Sequence, residues 1–178
     1  CSISLGSDTK QNADTPLKEI IANAENEMYK DKTMNRKSVN KDIIDTIIGT
    51  LHLKNPREKQ HSIAVSELCS KMGYALHLPE PEIDKLKRVG YLHDIGKIIL
   101  DDSVLSKETL SEEELEKMRQ HSVVGYRILN LFDDSLDLAE YVYSHHERWD
   151  GDGYPRGLKG EQIPLISRIV SIVETYDR

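Results

Sequence analysis

The feature that most restricts the fold is an apolar repeat at intervals of three and four residues. It runs through Val39, Ile43, Ile44, Ile47, Ile48 and Leu51, then Val65, Leu68 and Met72, and closes at Ile169, Ile172, Val173 and Tyr176. Such spacing lines one face of an α-helix, whereas a half-buried strand alternates at every second residue. Only residues 2–6 (SISLG) alternate, ending at Gly6. The expected class is therefore all-α, with one short N-terminal strand and helix ahead of a helical bundle.

Punctuation refines this reading. Thr15-Pro16 offers an N-cap followed by proline at the first helical position, so a helix is expected from residue 17 with Leu17, Ile20, Ile21, Ala24 and Met28 on one face. The polar residues 33–40 read as a break. Asn55-Pro56 ends the next helix, because a residue before proline is pushed out of the helical region. Further helices are expected over residues 58–73, 81–93, 111–131 and 134–147, the third opened by a capping box at Ser111 and Glu114. Residues 149–164 (WDGDGYPRGLKGEQIP) hold four glycines and two prolines and predict an ordered loop. A last helix starts at Leu165, with Ile169, Ile172, Val173 and Tyr176 on its buried side.

Bulk properties exclude several classes. The 178 residues are 38% hydrophobic and 31% charged, enough for one good core and a fragment of another domain. No apolar run approaches the ~20 residues of a membrane span, and the first residues lack the pattern of a signal peptide. With no initiator Met, the chain reads as a window from a longer, cytoplasmic protein. A net charge of −7 argues against gripping long nucleic acid by its phosphates. Cys1 and Cys69 form no metal-like pair and are read as free thiols in a reducing compartment.

The chemistry lies in the histidines. Of seven, His52 and His77 read as a satisfied core residue or a surface residue. The others gather beside carboxylates: His61, the adjacent pair His93-Asp94, His121, and His145-His146. Adjacent helical residues point about 100° apart, so each pair can flank a metal, and the two oxygens of Asp94 can bridge two ions. Imidazole with carboxylate suits Fe, Mn or Zn, and without thiolates nearby a structural zinc site is not expected.

HDIGK at residues 93–97, followed by HHERWDGDGYPRGLKGEQIPLISR from residue 145, resembles the HD-GYP family. These are HD phosphohydrolases that hydrolyse cyclic di-GMP, and the resemblance runs from about residue 57 onward. It implies two divalent transition metals, Fe or Mn ahead of Zn, held by His61, His93, Asp94, His121, His145, His146 and Glu174. It further implies Asp94 as the bridge and Lys97 as the group that holds a substrate phosphate oxygen. Gly153, Tyr154 and Pro155 form the GYP motif of a loop expected to shape the substrate site. For Arg168, also a family position, a structural ion pair is expected, and for Asp101 and Asp102 a solvated turn.

The N-terminal piece, SISLG and then IIANAENEMYKDKTMNRK, is similar to the last strand and helix of a GGDEF cyclase domain, without the cyclase signature loop. The resulting division is residues 1–35 as a GGDEF-like end, 36–56 as a connecting helix and 57–178 as a truncated HD-GYP domain, with contacts to a GGDEF domain or a second copy. Three departures from the family pattern stand out. Glu174 replaces the usual aspartate of the last helix, with Asp177 as a second acid. Arg57 stands where family members with a third metal carry glutamate, Glu58 being one place off. Ala64 replaces a common arginine. The leading expectation is a phosphodiesterase that opens cyclic di-GMP to linear pGpG, with GMP as a further product. The alternatives are a weak or inactive signalling module, or a phosphohydrolase of another nucleotide.

Overall fold

A computed structural model describes residues 3–10, 12, 16–107 and 109–177, apart from the side chain of residue 37. The proposed N-cap Thr15 and the thiol of Cys1 lie outside the described residues. Contacts divide the chain into two compact units, residues 1–44 and 45–178. All regular structure among the described residues is helical, so the all-α expectation holds.

The first unit departs from the expected pattern in two ways. Residues 3–6 form no strand. A strand needs a neighbour to take its backbone hydrogen bonds, and among the described residues this segment has none. It passes instead across helix α1 (Leu17–Lys54), with Gly6 so close that a Cβ there would strike the carbonyl oxygen of Ala24. The expected break at residues 33–40 is also absent, since α1 continues through them. Neither Pro nor Gly occurs between Leu17 and Ile48, and Lys, Arg and Met are good helix formers. Ile20, Ala24 and Met28 are half-buried, while Leu17 and Ile21 are exposed.

In the second unit the apolar periodicity becomes a core. Ile48, Leu51 and His52 of α1 are buried, whereas Val39 and Ile43 remain exposed. Asn55 caps α2 (Pro56–Ala75), its side chain accepting from the Arg57 amide at 3.0 Å. Helix α3 (Glu80–Leu92) packs along α2, followed by a 3-10 turn over Ile95–Ile99 and the short α4 (Asp102–Leu105). Helix α5 (Glu112–Leu129) opens with the expected capping box, packs on that turn and on α6 (Leu136–Tyr143), and α7 (Leu165–Asp177) closes the bundle against α2 and α3. Val65, Leu86, Val89, Leu129, Leu138 and Ile163 are fully or almost fully buried, each contributing about 1.5–3 kcal/mol over an exposed position.

The buried side of α7 is rotated from expectation. Ile166, Ile169, Val170, Val173 and Glu174 face inward, and Ile172 and Tyr176 are exposed. The inward face must also carry a carboxylate to the centre, which turns the helix by part of a residue spacing. His52 is a core residue near Ser62, 3.3 Å from its hydroxyl, and Cys69 is buried. Exposed His77 takes φ 53° in the turn that ends α2.

Candidate metal centre

Helix ends, not helix faces, deliver most of the site. Helix α3 stops at Leu92, so His93 and Asp94 occupy the turn beyond it. Helix α6 stops at Tyr143, so His145 and His146 likewise follow their helix. The expectation of adjacent helical side chains about 100° apart is thus replaced by turn geometry. His61 comes from α2, His121 from α5 and Glu174 from α7. Gly96 lets the turn after Asp94 press against α5: a Cβ there would fall on the carbonyl oxygen of His121 and 2.6 Å from the amide nitrogen of Gly125.

Three imidazoles are oriented in the same way. The Nδ1 atoms of His93, His121 and His145 bond the carbonyls three residues back, those of Gly90 (2.8 Å), Met118 (2.5 Å) and Val142 (2.6 Å). A carbonyl can only accept, so Nδ1 carries the proton and each Nε2 turns a lone pair inward when the ring is neutral. These lone pairs meet: Nε2 of His121 lies 3.2 Å from that of His145 and 3.1 Å from that of His146, and Nε2 of His93 lies 3.3 Å from that of His61. His61 turns its Nδ1 to the Asp177 carboxylate at 2.7 Å. Asp177 therefore stands behind His61, and Glu174 faces the centre, with Oε2 3.7 Å from Nδ1 of His146.

Two groups of four potential metal ligands result. Asp94, His121, His145 and His146 form one; His61, His93, Asp94 and Glu174 form the other, with the ligand atoms within each group all inside 4.8 Å of one another. Asp94 belongs to both. Its Oδ1 lies 3.3 Å from Nε2 of His121, and its Oδ2 lies 3.1 Å from Nε2 of His93 and 3.8 Å from that of His61. Lys97 brings its ammonium to 2.7 Å from Oδ2. Although these approaches are short, neither Asp94 oxygen has a hydrogen-bond partner of proper geometry among the described residues, so the pairing is ionic. A fully buried carboxylate left so, ringed by converging lone pairs, is the environment a cation completes. The residues fit divalent metals.

Electrostatics point the same way. Burial pulls His121 down to about 3 and lowers His145 and His146, so these rings stay neutral and ready to ligate. His93 is raised instead: burial is the largest single influence and lowers it, but the close approach and charge of Asp94 together with the charge of Glu174 prevail. Burial alone would raise Asp94; the charges of His93 and Lys97 overcome it and hold the carboxyl well below its usual range. Lys97 is likewise raised, Asp94 and Glu58 overcoming its burial.

Beside the centre the GYP loop is ordered. The Tyr154 ring stacks on His146 with centroids 4.7 Å apart, and the Tyr154–Pro155 bond is cis. The guanidinium of Arg119 lies 5.6 Å above the same tyrosine ring. Gly153 presses on the HHE segment, where a Cβ would stand 2.5 Å from Glu147 Cα. Sequence reasoning assigned Glu147 no role, yet it is buried and its two oxygens accept from the amides of Arg156 (2.7 Å) and Leu158 (2.8 Å). A carboxylate directly before a glycine-rich loop was the available signal. Among the described residues Arg168 has no carboxylate in ion-pair distance, against expectation; its guanidinium lies over Trp149 at 5.6 Å. Asp101 and Asp102 are exposed, away from the cluster.

A family profile described as an HD domain matches residues 45–178. The chain belongs to the HD-domain family. A Thermotoga maritima protein named cyclic di-GMP phosphodiesterase is 40% identical to this HD-domain chain over 121 residues, 66% of the chain and 33% of that protein. The 3'3'-cGAMP-specific phosphodiesterase 2 of Vibrio cholerae is 31% identical over 144 residues, 79% of the chain and 28% of that protein. The chain therefore spans about a third of the length of these relatives. Among solved structures, an HDG"Y"P protein from Bdellovibrio bacteriovorus matches with a TM-score of 0.58 at 22% identity, over 67% of this chain and 40% of that one. A cyclic GMP-AMP specific phosphodiesterase of Vibrio cholerae matches with a TM-score of 0.58 at 21% identity, over 76% and 39%. At these identities the two structures speak for the fold. No helix among the described residues is long and apolar enough to cross a membrane.

Proposed function

We propose that this chain carries the active site of a metal-dependent phosphodiesterase that hydrolyses cyclic di-GMP, within a larger cytoplasmic signalling protein. The observation that carries the reading is Asp94, one buried carboxylate shared by two four-ligand groups. His121, His145 and His146 would hold one ion with Asp94, and His61, His93 and Glu174 the other; this donor set suits Fe, Mn or Zn, and the resemblance to HD-GYP proteins favours Fe or Mn. Two such ions supply an activated water at neutral pH and positive charge for the phosphoryl oxygens. The chain's own residues do the rest. The carbonyl-bound Nδ1 atoms keep the imidazoles in the ligating tautomer, and Asp177 steadies His61. Lys97 offers its ammonium to a phosphoryl oxygen. Gly153, Tyr154 and Pro155 form a wall that limits how the dinucleotide sits. Water's oxygen ends on phosphorus, the P–O3′ bond breaks and the 3′ oxygen takes a proton, giving linear pGpG and, on a second cleavage, GMP.

We take residues 1–35 as the end of a GGDEF-like domain, 36–56 as a connecting helix and 57–178 as the HD-GYP region, with a GGDEF domain or a second copy as neighbours. A second reading, hydrolysis of 3'3'-cGAMP, is favoured by the name of the Vibrio cholerae relative at 31% identity. The test is metal analysis of anaerobically purified protein, with both cyclic dinucleotides offered as substrates. Two metals and preferential opening of cyclic di-GMP support the proposal. Preference for 3'3'-cGAMP favours the second reading, and metal without turnover of either leaves a binding module.

A further inference from the structure

Lys97 has one ammonium and two carboxylate neighbours. Its Nζ lies 2.7 Å from Oδ2 of Asp94, and 3.2 and 3.0 Å from the two oxygens of Glu58. Oδ2 is also the Asp94 oxygen that faces His93 and His61. A cation entering the His61–His93–Asp94–Glu174 group needs that oxygen, so the ammonium is a resident competitor for it. Lys97 is buried within its turn and cannot abandon Asp94 without becoming an unpaired buried charge, unless another anion receives it. Glu58 is that anion. It stands in the first turn of α2, three residues before His61, so that one helical face carries both the potential ligand and the acceptor for the displaced ammonium.

Resting on the metal-centre reading above, we propose that Glu58 is a positioning residue for metal loading: it draws the Lys97 ammonium off Asp94 so that Oδ2 is free for a cation. Metal affinity, more than substrate contact, is what Glu58 serves, and Lys97 is the side chain through which it acts. Removing the Glu58 charge leaves the ammonium on Asp94 and weakens the second ion. Removing Lys97 as well removes the competitor, and the loss of Glu58 then matters little.

The experiment measures Mn(II) affinity of the purified apo-protein by calorimetry for wild type, Glu58→Gln, Lys97→Met and the double variant. Glu58→Gln is isosteric at a partly buried helix position, and thermal melts verify the fold; Glu58→Ala repeats the measurement with a side chain too short to distort the turn. Glu58→Gln is expected to weaken the weaker Mn(II) site at least about fivefold, while the same change in the Lys97→Met background costs less than about twofold. Equal weakening in both backgrounds would mean a plain loss of negative charge and overturns the proposal. Unchanged affinity in Glu58→Gln overturns it as well, and leaves the metal centre standing. Failure of the wild type to bind Mn(II) at all brings down the metal-centre reading itself.

Discussion

Replacing Glu147 by glutamine removes one charge and almost no volume, so its cost isolates the hydrogen bonds that tie the GYP loop to the His145-His146 turn. The carboxylate is 3% exposed and accepts from two loop amides at 2.7 and 2.8 Å. Hydrogen bonds to a charged group contribute about 1.5–3 kcal/mol each. In Glu147→Gln the amide oxygen keeps one of them, weakened by the lost charge. The NH2 group faces the other amide donor to donor, which forfeits that bond and leaves a buried donor unsatisfied, at about 1–3 kcal/mol. The expected total is about 2.5–6 kcal/mol, a large part of a stability of about 5–15 kcal/mol. Arg156 also donates to the Ser144 hydroxyl at 2.7 Å and lies over Tyr143, so the loop has a second anchor and can open without global unfolding. Urea unfolding and hydrogen exchange at the Arg156 and Leu158 amides separate the two routes. Global loss lowers the urea midpoint; local opening leaves it nearly in place and strips protection from those two amides. An unchanged midpoint with unchanged exchange would refute the assignment of Glu147 as the loop's anchor.

Other substitutions probe the centre directly. Asp94→Ala should release both metals and abolish turnover, since two cations lose the anion between them; normal metal content in that variant would exclude a bridging role. Glu174→Gln should weaken metal binding by at least the about 10–100-fold that losing an outer-shell partner costs, while Glu174→Asp retains the metal. A loaded crystal structure with Asp177 on the ion and Glu174 in solvent would reverse that assignment. Gly96→Ala drives a methyl group into the backbone of α5, where nothing can yield cheaply, and should cost about 1–3 kcal/mol in thermal or urea unfolding; a stability equal to wild type would show that the turn does not need its glycine. Burial pushes the Cys69 thiol up to about 12, so at pH 8 it is protonated and should react with thiol reagents only after denaturation. Rapid labelling of the native protein would contradict that placement.

Apolar stripes located α2, which follows Asn55-Pro56, and α7, which follows the proline-closed loop, and the capping box at Ser111 located the start of α5. Where a stripe or an end signal was lacking, the reading failed for a physical reason. Residues 33–40 are mostly polar, but polarity does not end a helix; loss of backbone pairing does, and no residue there enforces it. Residues 3–6 alternate, yet alternation only prepares a strand for a neighbour. The end of α6 was invisible because the buried pattern of Leu138, Ala139 and Val142 runs on into His145, with no Gly or Pro at the stop. The residues of the candidate centre were legible as unusual neighbours, His beside Asp and His beside His. The groups that orient them were not: a carbonyl three residues back, Asp177 behind His61 and Glu147 beneath the loop act through geometry that leaves no period in the chain.

The bond from His61 to Asp177 closes a span of 116 positions, and that distance has a meaning during synthesis. At translation rates of about 5–20 residues per second, the second partner leaves the ribosome on the order of ten seconds after the first. In that interval the early histidines have no cage, and any cation they meet is held by a few flexible side chains in water. There the ordinary ranking of divalent ions applies, and the tightest non-specific binder wins. Only once α7 has docked do Glu174 and the turned imidazoles present a fixed set of donors. On the proposed metal centre, discrimination among metals would therefore be a property of the finished bundle, and an ion acquired before then would be exchanged on closure.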